Sequence, residues 1–234
     1  MKLLAPNLLL GVGVVPLLLA QQPAADPPEI ISHYLAGVKE GRARTIPPEE
    51  VVTLIGRVSS LNLKGTMTAV RSVSEEGKLS YKVSSFEGDN SIKQHLIARY
   101  LSAEVEAFEE KSQNIGIHPV NYKFEYRGLL EQYGTPVHVF VLTPRFKKVG
   151  LFRGELWIDP ETFLPVREFG LFVRSPSVFL KDIYFVRDYW IQNGRSALRR
   201  LISNIDVRII GRAELTIWYG EPPEQEPAAA SGNR

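Results

Sequence analysis

Cysteine is absent from this 234-residue chain, which removes disulfides, thiolate nucleophiles, cysteine-type zinc sites and an acylated cysteine anchor at once. Histidine is scarce and scattered. His33, His95, His118 and His138 fall in separate stretches without an i,i+4 partner or HExxH spacing, so no metal site is expected. Nucleotide-binding glycine signatures are missing, and no G-x-S-x-G elbow presents a serine nucleophile. Charge of one sign is lacking too. A formal net charge of +2 does not supply the strongly basic, clustered surface that nucleic acid requires. Carboxylates are the remaining groups that could catalyse, and Glu155 and Glu168 fall on two strands expected to pair. Arg153, Arg167, Arg174 and Arg187 lie near them in sequence, so cross-strand ion pairs explain them and neither an enzyme nor a cofactor is expected.

What is present is ordinary core-forming material, 44% hydrophobic and 23% charged, in a length that suits one domain. Met1-Lys2 opens an apolar stretch over residues 3–20, interrupted by Pro6, Asn7 and Pro16 and too short for a comfortable membrane span. Residues 1–20 read as a cleaved secretory signal, which places the protein in the periplasm or outside the cell; the alternative is an uncleaved anchor. Residues 21–28 read as a linker, 29–220 as the folded domain and 221–234, rich in Glu, Pro and Ala, as a disordered tail.

Along the domain, Ile30, Ile31, Tyr34, Leu35 and Val38 share one helical stripe. Pro47-Pro48-Glu49-Glu50 predicts a second helix over residues 47–58, with Val51, Leu54, Ile55 and Val58 buried. Residues 62–73 and 78–86, separated by Ser74-Glu75-Glu76-Gly77, predict a β-hairpin. An amphipathic helix over 92–111 follows, packed on a sheet or lying as a lid over a cavity. From Asn121 onward the chain reads as strand. Residues 151–158 and 166–173 form a central hairpin around Asp159-Pro160, and Asn193-Gly194 makes a tight turn. The segment 199–219 is expected to be one long curved strand bent at Gly211. The class is therefore α+β: a curved antiparallel sheet forming an incomplete β-barrel, with helices in or across its concave side.

Aromatic residues concentrate after residue 120, in excess of what one sheet face needs. The two-residue strand period groups Tyr122, Phe124 and Tyr126, then Phe152, Leu156 and Ile158, then Phe169, Leu171 and Val173, as candidate walls of a hydrophobic cavity. An acyl ligand there is expected to bind by apolar transfer alone, without a specific polar contact. The basic run Arg145, Lys147, Lys148, Arg153 reads as a solvated loop, or as a contact with an anionic membrane surface or an envelope protein partner. A structural or partner-binding module without a ligand cavity is the rival reading.

The apolar N-terminus, helix, hairpin and helical insertion are followed by Val139–Pro144 with Arg145, then Trp157-Ile158-Asp159-Pro160-Glu161-Thr162 and Pro165-Val166-Arg167. This pattern resembles the LolA/LolB-like periplasmic lipoprotein-carrier superfamily over residues 29–220. The resemblance implies an incomplete barrel that holds acyl chains or other hydrophobic ligands on its concave side, closed by helices. It assigns no individual functional residue.

Overall fold

In the computed structural model, residues 26–109, 115–175, 180–208 and 210–222 are described. The expected signal segment, most of the linker and most of the tail lie outside them.

Ten antiparallel strands form one sheet in the order β3-β2-β1-β10-β9-β8-β7-β6-β5-β4. These are β1 (Glu49–Val58), β2 (Leu63–Val73), β3 (Leu79–Gly88), β4 (Tyr122–Gln132), β5 (Thr135–Pro144), β6 (Phe152–Ile158), β7 (Pro165–Phe172), β8 (Leu180–Gln192), β9 (Arg195–Val207) and β10 (Gly211–Tyr219). The edge strands β3 and β4 do not pair with each other, so the barrel stays open. Helices α1 (Pro27–Lys39) and α2 (Ala98–Glu109) lie on the inner face, α2 preceded by a π-helical turn, Ile92–Ile97. Alternate strand residues share that face, and the main core collects there around Ile30, Tyr34, Leu54, Ile92, Leu96, Phe140, Leu156 and Phe185.

Two expectations fail. Residues 49–58 are strand rather than helix: Val52, Leu54, Gly56 and Val58 are buried while Val51 is 48% exposed, a period of two. The β-branched content of Val51-Val52-Thr53 and pairing on both sides override the proline and acidic signals, which end in an extended lead-in. The segment 199–219 is two strands, β9 and β10, paired with each other, and Gly211 at φ +79° opens β10 opposite Val207 instead of bending one strand in its middle.

The other elements match. Asp159 Oδ1 accepts from Thr162 N and Oγ1, each at 2.7 Å, and from Glu161 N at 3.2 Å, which locks the β6–β7 turn. That turn anchors α1: Phe163 stacks on His33 at 4.6 Å, and Leu164 packs so closely on Gly37 that a Cβ there would stand 3.0 Å away.

The π-helical turn is seated by a second close approach. Gly56 and Gly65 face each other across β1 and β2, and a Cβ on Gly56 would fall 2.6 Å from Ile92 and 2.9 Å from Leu96. This notch brings Ile92, Leu96 and Ile97 flush onto β1, β2 and β10. Helix α2 then continues against β3.

Candidate ligand cavity

Between α2 and the inner face of β7 to β9 lies a cavity of about 490 Å³, within the range of small-ligand pockets. Phe152, Phe172, Phe185 and Leu201 form its sheet wall, and Tyr100, Ala103 and Phe108 of α2 face them. The helical segment therefore does both things its sequence allowed: the π-helical turn packs on the sheet and α2 borders a cavity.

The wall is more polar than expected. Arg44, Arg71, Arg187, Glu50, Glu104 and Glu168 all line the cavity, in two clusters. In the first, Glu168 is fully buried on β7, with Arg44 Nη2 2.6 Å from Oε1 and Arg187 Nη1 3.4 Å from Oε2. Tyr34 accepts a hydrogen bond from Arg44 at 3.0 Å. The contact between Arg44 and Glu168 is close but poorly aligned, for Glu168 Oε1 and Arg44 Nε are both buried without a hydrogen bond. In the second, Arg71 reaches Glu50 at 3.1 Å and Glu104 at 3.9 Å, while the Tyr81 hydroxyl donates to Glu104 at 2.9 Å.

Local structure explains why Arg44 points inward. It sits just beyond α1 with φ +54°, a left-handed conformation that is costly for a side-chain-bearing residue. Two flanking hydrogen bonds hold it: Ser196 N donates to Arg42 O at 2.8 Å and Thr45 N to Ser196 O at 2.7 Å. Burial works most strongly against the Arg44 charge, but Glu168, Tyr34 and Tyr189 together outweigh it and raise the guanidinium pKa. Burial also pushes the Tyr34 and Tyr122 hydroxyls up to about 12, so both stay protonated as donors.

The nine residues proposed as cavity walls divide. Tyr122 and Phe152 line the cavity. Leu156 and Ile158 are buried in the surrounding core, and Phe124, Tyr126 and Val173 pack against it. Phe169 and Leu171 are corrected to the other face of the sheet. Glu168, Gly170 and Phe172 are the inward members of β7, so Phe169 packs outward on Trp157, ring centroids 5.6 Å apart, and Leu171 is 46% exposed. The inward set of β7 contains a charge and a glycine, so hydrophobicity chose the wrong alternate. Glu155 and Glu168 also part company, Glu155 accepting from Trp157 Nε1 at 2.8 Å on the outer face. In the basic run, Arg145 Nε is tied to Pro119 O at 2.8 Å.

Arg44, Arg71, Glu104 and Arg187 were missed as cavity residues. For Arg187 a signal existed: Phe185, Arg187 and Tyr189 alternate in β8 as the aromatic triplet of β4 does.

The outer face carries a different assembly. Asp188 binds Arg167 Nε at 2.6 Å and Arg200 Nη2 at 2.7 Å. Arg167 lies over the rings of Tyr133 and Trp157, at 4.9 and 5.1 Å, and Arg200 over Trp218 at 5.1 Å. Among the described residues, no cluster of metal-ligating side chains occurs and no helix is long and apolar enough to cross a membrane.

No protein-family profile and no curated protein sequence matches the chain. Among solved structures, it is similar to a DUF1329 family protein from Desulfovibrio piger, at 11% identity and TM-score 0.43, covering 82% of this chain and 91% of that one. A LolA superfamily protein from Nitrosomonas europaea matches at 13% identity and TM-score 0.41, covering 87% and 96%. A domain described as an outer membrane lipoprotein-sorting protein, from Vibrio parahaemolyticus, matches at 10% identity and TM-score 0.42, covering 81% and 90%. The incomplete barrel itself rests on the strand order.

Proposed function

We propose that this chain is an exported carrier of the cell envelope that holds a hydrophobic, acyl-bearing ligand between α2 and the inner face of β7 to β9. The observation that supports this reading is the cavity of about 490 Å³, whose wall includes Phe152, Phe172, Phe185, Leu201 and Phe108. Burying apolar surface yields roughly 25 cal/mol per Å², or about 0.8 kcal/mol per CH₂, so affinity grows with chain length. The room beside α2 is what the cavity-free rival does not need, and it favours the carrier reading.

The test is native mass spectrometry of the purified full chain, followed by titration with fluorescent fatty acids of increasing length. Ala103→Trp, which fills the cavity from α2, is the control. Expected are a co-purifying lipid, or saturable binding that strengthens with chain length and falls at least about tenfold in Ala103→Trp, tenfold being 1.4 kcal/mol. No binding by folded protein, or binding indifferent to length and to Ala103→Trp, overturns the proposal.

The outer face favours partner docking as a second activity. Its exposed Tyr133 and Trp190, at 81% and 41%, beside Arg167, Arg199 and Arg200 are the residue types that dominate protein interfaces.

A further inference from the structure

We infer that the ligand's acyl chain ends in an anionic group, a carboxylate or phosphate, seated against Arg44 and Arg187. This rests on the carrier reading and names the ligand class it leaves open. Two guanidinium groups share the single carboxylate of Glu168, so among the described residues this cluster carries one positive charge in excess beside a low-dielectric cavity. Such a charge is costly in isolation, and a monoanion would neutralise it.

The hydrogen-bonding capacity is open as well. Arg44 engages Tyr34 and Glu168 through Nη2 alone, and Arg187 reaches Glu168 through Nη1 at the long distance of 3.4 Å. The Nε of Arg44 has no acceptor, although it is buried. Both side chains lie deep among protein atoms yet keep 29% and 31% of their surface accessible, and both line the cavity. A planar fork of N–H donors is suited to a carboxylate or phosphate.

The second cluster gives the ligand one orientation. Arg71 faces two carboxylates, Glu50 and Glu104, so with all three ionised the surplus there is negative and repels an anionic headgroup. The headgroup therefore sits by Arg44 and Arg187, and the chain runs along Phe152, Phe172 and Phe185.

The decisive comparison uses the unmodified full chain with hexadecanoate, hexadecyl phosphate and methyl hexadecanoate, read by displacement of a fluorescent fatty acid. A charge-assisted hydrogen bond contributes roughly 1.5–3 kcal/mol, so the anions are expected to bind about tenfold to a hundredfold tighter than the ester. Arg187→Gln should lower the ratio of acid to ester affinity at least about tenfold, tenfold being 1.4 kcal/mol. Equal binding of acid and ester overturns this inference while the carrier reading stands. Binding of neither, by folded protein, overturns the carrier reading as well. Displacement by inorganic phosphate as efficient as by hexadecyl phosphate overturns the acyl part and leaves a bare anion site. The wild-type acid and ester comparison decides the matter even where Arg187→Gln fails to fold.

Discussion

Two successive rungs of the β7–β8 ladder carry the same chemistry to opposite faces of the sheet. Arg167 pairs with Asp188, and the next rung pairs Glu168 with Arg187. Each carboxylate recruits one further arginine, Arg200 outside and Arg44 inside. Outside, Asp188 has both oxygens engaged in aligned bonds at 2.6, 2.7 and 3.0 Å, and Arg167 and Arg200 rest on aromatic rings. Inside, Glu168 leaves Oε1 unaligned and Arg44 leaves Nε unbonded beside an open cavity. Equal composition thus gives a self-satisfied clasp on one face and an incomplete one on the other. On the proposal above, the ligand's anionic end sits at this incomplete clasp.

The sharpest way to break this comparison is to neutralise each carboxylate. Glu168→Gln leaves two inner arginines without their counter-ion and is expected to cost about 3–5 kcal/mol, measured as a fall in the urea midpoint. If its cost matches that of Asp188→Asn, the two clusters are equivalent and the contrast is lost. Steric packing sharpens the same contrast, because the inner face has no room at its glycine notch. Gly56→Ala forces Ile92 and Leu96 off β1 and is expected to cost about 1–3 kcal/mol, with increased hydrogen exchange across residues 92–97 as the local signature. Asp188→Asn comes next, at about 1–2 kcal/mol, since Asp188 keeps 18% of its side chain accessible where Glu168 keeps none, and water screens part of the loss.

The smallest effect concerns Glu50. Burial raises its carboxyl pKa, with Glu104 adding and Arg71 opposing. A raised carboxyl binds its proton more tightly in the folded chain than in the unfolded one. Its stabilisation is therefore full below the unfolded value and is lost as pH rises through the folded value. Glu50→Gln should flatten that part of the stability profile just above the ordinary carboxyl range, by less than about 1 kcal/mol in urea titrations. An unchanged slope would show that Glu50 does not contribute it.

Much of the sheet was legible because its turns carry their own chemistry. Asp159-Pro160 and Asn193-Gly194 fixed two hairpins, and the strict alternation after Asn121 fixed the first of the late strands. Residues 49–58 were misread because a helix-start signal stood before a stretch that both β2 and β10 claim; neighbours distant in sequence decided it. The β9–β10 turn was missed because Gly211 looks the same in sequence as a strand bend. The site was legible only in part. Periodicity sorts residues into two sets but does not say which faces inward, and the larger apolar content of Phe169 and Leu171 pointed outward because the inner set holds Glu168. Arg44 could not be read at all, since its placement depends on a left-handed residue pinned to β9 across a long sequence gap.

The unjoined edges β3 and β4 bear on what the chain can hold. A closed barrel has its radius set by strand number and shear, so its interior is a fixed quantity. An open sheet has no such constraint. Small changes of twist distributed over the interstrand ladders widen or narrow the seam without breaking a backbone hydrogen bond. On the carrier reading, capacity is then not set by strand number and shear, while the guanidinium end of the cavity stays where the β7–β8 ladder fixes it.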